Sequence, residues 1–267
     1  MALDYNATIL ENKILNDYLF VLKIKPDFDL PDFLPGQFTV LGLKAKEKRF
    51  GKTPDPKPGL KPDQFIRRSY SILSSPNQKG SIDFYVALVD QGQLTPRLRS
   101  LQKGDHIYIG PKITGRFTLD KIPGKKHLLL IATGTGLAPF MSMVHTHYQK
   151  DSNRQWVLTH GVRYPQDLSF DEELSALNQE GHFHYLPVIS RPQDYPDWTG
   201  RTGHVTKLVS EGVVEQETGL SLDPKNFDVL LCGNPAMIKD ITTDLEGKGF
   251  VKDHGKDLGQ IHTEEYW

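Results

Sequence analysis

Residues 128–139 read LLLIATGTGLAP, an unbroken apolar run that gives way to glycine and threonine. A continuous apolar stretch is the pattern of a strand buried on both faces. The abrupt change to small residues predicts a tight turn into the helix PFMSMVHTHYQ (139–149). The same alternation repeats downstream. WVLTHGV (156–162) precedes the helical DLSFDEELSALNQE (167–180), and HYLPVIS (184–190) precedes VTKLVSEG (205–212). DVLLCGN (228–234) leads into PAMIKDITTDLEGKG (235–249), with Asn234 placed to cap the helix and Pro235 at its first position. Such strand–helix alternation predicts an open parallel sheet with helices on both faces.

Upstream the rhythm is different. YLFVLKI (18–24), QFTVLGL (37–43), RSYSIL (68–73), IDFYVALV (82–89) and HIYIG (106–110) are short, aromatic and β-branched, with Pro- and Gly-containing turns between them. Strands at this spacing predict an antiparallel barrel or sandwich, with one short helix at LTPRLRSL (94–101). KIPGKKH (121–127) suits a junction, so the expected domains are an antiparallel β-barrel over 1–122 and an α/β domain over 123–267. The segment 44–65, KAKEKRFGKTPDPKPGLKPDQF, fits neither half and is expected to be a long exposed loop. Its simplest reading is a solvated linker, and the alternative is a docking surface for an acidic partner.

At 267 residues the chain has room for two cores. Its 32 Lys and Arg nearly balance 33 Asp and Glu, so no global field points to nucleic acid or to a membrane surface. The longest apolar runs are too short to span a bilayer, and MALDYNATIL lacks the features of a signal peptide. One cysteine, Cys232, excludes an internal disulfide and a Cys-ligated iron–sulfur cluster. A cytoplasmic setting is the expectation. The histidine pairs 182/184 and 145/147 have no third ligand placed by the sequence, so no metal site is expected.

Several segments carry residue types suited to holding a nucleotide. ATGTGLAP (132–139) joins a buried strand to a helix, where small residues admit a close ligand and free N–H groups attract phosphate. It lacks the GxGxxG spacing, and a tight packing turn is the plain alternative. In RRSYS (67–71), alternation sets Arg68 and Tyr70 on one face and Ser69 and Ser71 on the other. An arginine beside an aromatic can grip phosphate while the ring stacks on a flat ligand. Arg163, Arg191 and Arg201 follow successive strands, and the C-terminal ends of parallel strands line the ligand crevice of an open α/β sheet. Cys232 ends the last of those strands, where a lone cysteine is most simply a small buried hydrophobe.

Together and in this order, RSYS (68–71), GQLTPRL (92–98), ATGTGLAP (132–139), HGVRYPQDLSF (160–170), VISR (188–191), TGR (199–201), LLCGNPAM (230–237) and EEYW (264–267) resemble the ferredoxin–NADP reductase family, specifically its bacterial branch. The resemblance runs over nearly the whole chain. It implies an FAD-binding barrel followed by an NADP-binding α/β domain, with hydride transfer between NADP(H) and FAD and single electrons passed to a ferredoxin or flavodoxin. Carried over to this sequence, Arg68, Ser69, Tyr70 and Ser71 would hold the flavin, Tyr70 flat against the isoalloxazine and Ser71 near its N5. Tyr85, Val86, Ala87 and Leu88, with Gln93, Leu94 and Thr95, would continue that pocket. Thr135 would reach the flavin from the second domain. Arg163, Ser190, Arg191 and Arg201 would surround the NADP adenosine and its 2′-phosphate. Ser71, Cys232, Glu264 and Tyr266 are the implied catalytic residues, with Glu264 as a proton-relay or nicotinamide-side carboxylate. Tyr266 and Trp267 would pack on the FAD, one over the isoalloxazine and the other on the adenine. A monomer is the expectation.

Two rival readings remain open at this level. One is an NAD(P)H–flavin reductase or the stand-alone reductase of an oxygenase, and the other is a nucleotide-binding module without turnover.

Overall fold

The computed structural model describes residues 4–51, 59–122, 126–255 and 258–266. By its internal contacts the chain forms two compact units. One comprises the residues up to Thr118 together with Met141–Thr146; the other comprises Leu119–Phe140 and the residues from His147 onward.

In the first unit, β1 (Ala7–Ile14), β2 (Leu19–Pro26), β3 (Phe38–Lys44), β4 (Phe65–Ser71), β5 (Ile82–Ala87) and β6 (His106–Ile109) form one antiparallel sheet. Their order is β4-β3-β6-β1-β2-β5. Alternation sends Ile9, Phe20, Leu22, Ile24, Leu41, Leu43, Phe84 and Val86 into a common core. The expected barrel is not fully closed, because β4 and β5 form no ladder. Just beyond β4, Leu73 N–H donates to the Asp83 carbonyl at 2.9 Å, and Asp83 N–H donates to Ser74 Oγ at 3.0 Å. α1 (Thr95–Ser100) lies within the expected helix. Its last carbonyls are met by a side chain from another element: Asn12 Nδ2 donates to Leu101 O at 2.8 Å. Asn12 belongs to β1, a strand that sequence patterning does not announce, since GluAsnLys (11–13) breaks its apolar alternation after a bulge at Ile9/Glu11.

The segment 44–65 departs in part from expectation. Its base continues the β3–β4 hairpin through Ala45 N–H to Gln64 O and Lys46 N–H to Pro62 O, each 2.9 Å. Further out, Phe50 N–H donates to Pro96 O at 2.9 Å, and the Arg99 guanidinium stands 4.5 Å over the Phe50 ring. Residues 45–50 are therefore tied to α1 and the turn before it, although Phe50 keeps one side in water, whereas residues 59 and 61–64 are exposed as expected.

The second unit contains β7 (His127–Thr133), α2 (Ala138–His147), β8 (Trp156–Val162), α3 (Asp171–Leu177), β9 (Phe183–Ile189), β10 (Arg201–Thr202), α4 (Thr206–Ser210), α5 (Val213–Thr218), β11 (Phe227–Gly233), α6 (Pro235–Gly247) and β12 (Ile261–Glu265). All the strands pair in parallel, in the order β10-β9-β8-β7-β11-β12. β11 is buried along its whole length and β7 over Leu128–Ala132, as their continuous apolar runs predict. Asn234 caps α6 by accepting from Ala236 N–H at 2.8 Å, with Pro235 behind it. α3 is shorter than expected and is flanked by 3₁₀ turns at 165–167 and 178–180.

A last strand, which sequence patterning does not announce, follows α6. Residues 261–265 are an edge strand of this sheet, with Glu264 opposite Cys232 and Tyr266 N–H donating to Gly233 O at 3.1 Å.

The ends of β7 and β11 pass so close that only glycine fits between them. A Cβ on residue 136 would collide with the Cys232 carbonyl oxygen, and one on residue 233 with Thr133 Oγ1. Backbone cannot yield as a flexible side chain does. Gly136→Ala is expected to cost about 1–3 kcal/mol and to lower Tm. Gly247→Ala, at the end of α6 with open space around it, is expected to be neutral or to stabilise by up to about 1 kcal/mol. Thermal melts of both variants check this pair.

Candidate functional site

In the first unit three of the positions expected to hold a flavin, Arg68, Ser69 and Gln93, line an open groove of about 550 Å³, within the range of ligand sites. Arg67, Arg68, Ser69 and Gln93 line it, with Val40, Leu60 and Ile66. Arg67, Arg68 and Ser69 are exposed, whereas Tyr70 is half-buried against the core and Ser71 is buried. Burial raises the Tyr70 phenol pKa, partly opposed by the Arg68 charge, so the ring stays neutral and presents an apolar body. On β5, alternation divides the expected residues. Val86 is in the core and Leu94 joins it from the turn before α1, so either can offer a ligand only its backbone. Tyr85, also buried, and the half-buried Ala87 lie on the other face of the strand.

The turn leading into α1 is held from behind. Arg97, though charged, is only 2% exposed. Its Nη1 donates to Gln93 O at 2.6 Å and its Nη2 to Ala45 O at 2.6 Å. Arg49 Nη1 donates to Gly92 O at 3.0 Å, with Gln93 O and Asp90 O at the 3.5 Å limit. Thr95 Oγ1 closes the turn by accepting from Val89 N–H at 2.9 Å. The turn's carbonyls are thus engaged, while the N–H groups of Gln93, Leu94 and Thr95 find no acceptor among the described residues. Gln93 Nε2 is likewise buried without one. A buried donor such as Gln93 Nε2 is costly to leave unpaired, and with the open N–H groups and several arginines nearby the turn fits the pyrophosphate of a dinucleotide. Sequence reasoning missed both buttressing arginines. Arg97 had left a signal: it lies on the stripe Leu94, Arg97, Leu98, Leu101, whose helical spacing marks a core-facing position. Arg49 left none.

In the second unit, parallel pairing brings the C-terminal ends of all strands to one sheet edge. Gly134, at φ +52° with open space on its Cα, starts the 3₁₀ turn leading into α2. That turn has no side-chain cap, and Thr133 Oγ1 accepts instead from Asn234 N–H at 2.9 Å. An uncapped start leaves N–H groups for a phosphate. Gly136, by contrast, serves packing. The turn is steadied by His160, whose Nε2 donates to the Gly134 carbonyl at 3.0 Å. His160 is fully buried, and burial lowers its pKa to about 4, so it is neutral at pH 7.

The three arginines stand on adjacent segments but differ in their surroundings. Arg163 is exposed after β8. Arg191, exposed after β9, donates from Nη1 to Tyr164 OH at 3.0 Å and stands 5.7 Å over that ring. Arg201, on β10, is ion-paired with Glu217. Ser190, between these strands, donates its hydroxyl to Val162 O at 3.2 Å. Tyr164 and Glu217 were not anticipated; Tyr164 follows directly on Arg163, but nothing in the sequence ties Glu217 to Arg201. A cleft of about 330 Å³ adjoins, lined by Asp194, Tyr195 and Trp198.

At the β11–β12 end of the same edge, Cys232 Sγ lies 4.0 Å from Glu264 Oε2. Burial, with the neighbouring Glu264 charge, raises the Cys232 pKa well above its usual value, and a hydrogen bond from Tyr266 opposes this in part. Cys232 is therefore a thiol at neutral pH. The fold brings together Cys232, Glu264 and Tyr266, while Ser71 belongs to the other unit. Thr135 is half-buried on the turn before α2, and Trp267 lies outside the described residues.

These two nucleotide-ready surfaces coincide with two known domain types. The oxidoreductase FAD-binding domain matches residues 59–118, and the oxidoreductase NAD-binding domain matches residues 130–243. The flavodoxin/ferredoxin–NADP reductase of Buchnera aphidicola subsp. Baizongia pistaciae is 35% identical over 242 residues, covering 88% of each chain. The Escherichia coli protein of that name is 33% identical over 226 residues, 84% of this chain and 82% of that one. The crystal structure of a ferredoxin NADP+ reductase from Neisseria gonorrhoeae with bound FAD and NADP aligns with a TM-score of 0.83 at 26% identity, covering 97% of both chains. By this extent of identity and coverage, the chain belongs to the flavodoxin/ferredoxin–NADP reductase family and is an oxidoreductase with an FAD-binding and an NAD-binding domain.

Proposed function

We propose that the protein is an FAD-dependent ferredoxin–NADP reductase, acting as a monomer in the cytoplasm and exchanging electrons between NADP(H) and a ferredoxin or flavodoxin. The reading is carried by one observation: each unit holds a backbone turn prepared for phosphate, before α1 in the first and before α2 in the second. Bound FAD supplies the conversion between the paired electrons of a nicotinamide and the single electrons of a protein carrier. No helix among the described residues is long and apolar enough to cross a membrane.

The chain's own residues divide the remaining work. Arg68 and the Gln93–Thr95 amides grip the flavin's phosphates. Tyr70, kept neutral by burial, offers a flat apolar face, and Ser69 and Ser71 supply hydroxyls along β4. The backbone of Tyr85–Leu88 continues that wall. In the second unit the Gly134–Thr135 turn takes the pyrophosphate of NADP(H), while Arg163, Ser190 and Arg191 receive the adenosine end. Arg191 is the principal 2′-phosphate ligand, because Tyr164 orients its guanidinium and no carboxylate is paired with it among the described residues. Arg201 contributes less while Glu217 neutralises it. Cys232 and Glu264 take the nicotinamide end. There the uncharged thiol provides a small, weakly polar contact and the carboxylate holds a proton acceptor beside it.

Arg191→Ala is expected to weaken NADPH about 10- to 100-fold, the worth of charge-assisted hydrogen bonds to a phosphate, and to leave NADH nearly unchanged. Arg201→Ala should do the same more weakly. Titration of each variant with both nucleotides measures the difference, and equal loss for NADPH and NADH refutes the 2′-phosphate role.

The overall reading predicts a yellow protein that NADPH bleaches without oxygen and that then reduces a ferredoxin or flavodoxin in stopped flow. Protein that stays colourless after FAD is added defeats the reading. Bleaching followed by failure with every carrier leaves a flavin reductase instead.

A further inference from the structure

The segment 45–50 has no assigned part in this chemistry, yet Ala45 O, the Arg49 side chain and Phe50 N–H all bond to α1 or to the turn before it. Ala45 O accepts from both Nε and Nη2 of Arg97, at 3.2 and 2.6 Å. Phe50 N–H donates to Pro96 O, inside the first turn of α1. Between them Arg49 reaches across to the turn of residues 90–93, bonding Gly92 O at 3.0 Å and approaching Gln93 O and Asp90 O. Its Nε is buried and has no acceptor among the described residues, so the guanidinium is held by these carbonyls alone.

A turn can present its N–H groups to an anion only if its carbonyls are turned away, because each peptide unit carries the two in opposite directions. Arg49 and Arg97 approach the turn on its carbonyl side. Gln93 O is shared by the two. Removing either loosens the peptide orientation that leaves Gln93, Leu94 and Thr95 N–H without acceptors. The cationic guanidiniums also make the turn more attractive to an anion without touching it.

We propose that the segment 45–50 buttresses the flavin-phosphate turn and that Arg49 is its positioning residue, ordering the Gln93–Thr95 amides for the FAD pyrophosphate. The proposal rests on the FAD reading above. It gives the hairpin extension between β3 and β4 a role in cofactor retention, distinct from a linker and from a partner-docking surface.

The test separates phosphate recognition from general packing. The full chain, stripped of flavin, is titrated with FAD and with riboflavin, which has the same ring system and no phosphate, for the wild type, Arg49→Ala and Arg49→Lys. Arg49→Ala should raise the Kd for FAD about tenfold or more while riboflavin changes by less than about twofold. Arg49→Lys, which keeps the charge but not the fork of donors, should fall between. In parallel, amide hydrogen exchange at Gly92 and Phe50, whose N–H groups donate to Val89 O and Pro96 O, should quicken in the flavin-free Arg49→Ala chain and stay unchanged across β1, β2 and β5.

Equal weakening of FAD and riboflavin, or unchanged FAD affinity with unchanged exchange at these amides, overturns the proposal. If Arg49→Ala does not fold, Arg49→Lys decides by the same two measurements. A wild-type chain that binds neither flavin refutes the FAD reading itself, an outcome separate from failure of Arg49.

Discussion

A methyl group has no room between residue 136 and the carbonyl of Cys232, and much of the second unit is arranged around that fact. The turn leaving β7 and the end of β11 meet backbone to backbone, with Gly136 on one side and Gly233 on the other. Thr133 locks the approach by accepting the Asn234 N–H, and the Asn234 side chain caps α6. Thr133 makes no side-chain cap bond to the turn into α2, which starts with N–H groups available to a ligand. One tight crossing thus places the Cys232 edge, the start of α6 and the phosphate-ready start of α2 in a fixed relation. Here glycine acts by its lack of volume. At Gly134, where the space is open and φ is +52°, it acts by conformational freedom.

The first unit solves the equivalent problem with charge. Its phosphate-ready turn has no crossing strand to hold it, and α1 is a short helix of six residues. The carbonyls are collected by two guanidiniums, one from α1 itself and one from the extension of the β3–β4 hairpin. Burying Arg97 is costly unless its donors are satisfied, and carbonyls of Gln93 and Ala45 satisfy them. The arrangement therefore stabilises the arginine and orders the turn together. It also concentrates positive charge around a groove in a chain whose formal net charge is −1.

Much of the fold was legible in the residues. The fully buried strands β7, β8 and β11 announced themselves as apolar runs, because a strand covered on both faces has no polar side to show. The Asn234–Pro235 helix start was readable because capping is local chemistry between neighbours. β1 was not, since Asn12 faces the end of α1 and its polarity has a partner almost ninety positions away. β12 and the two-residue β10 escaped for a related reason: both lie at edges of the sheet, where half-polar strands gain their hydrogen bonds from a neighbour distant in the chain.

By itself the sequence determined the order of the two units, the parallel sheet and the segments that could hold a nucleotide. Those features follow from burial periodicity, capping and small-residue turns, which act over a few residues. Only the tertiary structure decided which of the named groups meet and in what state. It set Glu264 and Tyr266 beside Cys232 by pairing β12 with β11, and it tied Arg201 to Glu217 while leaving Arg191 to Tyr164. It also brought a lysine- and proline-rich stretch against the turn before α1 through Arg49. A guanidinium's partner is chosen by where the chain returns in space, and no local pattern of residues carries that information.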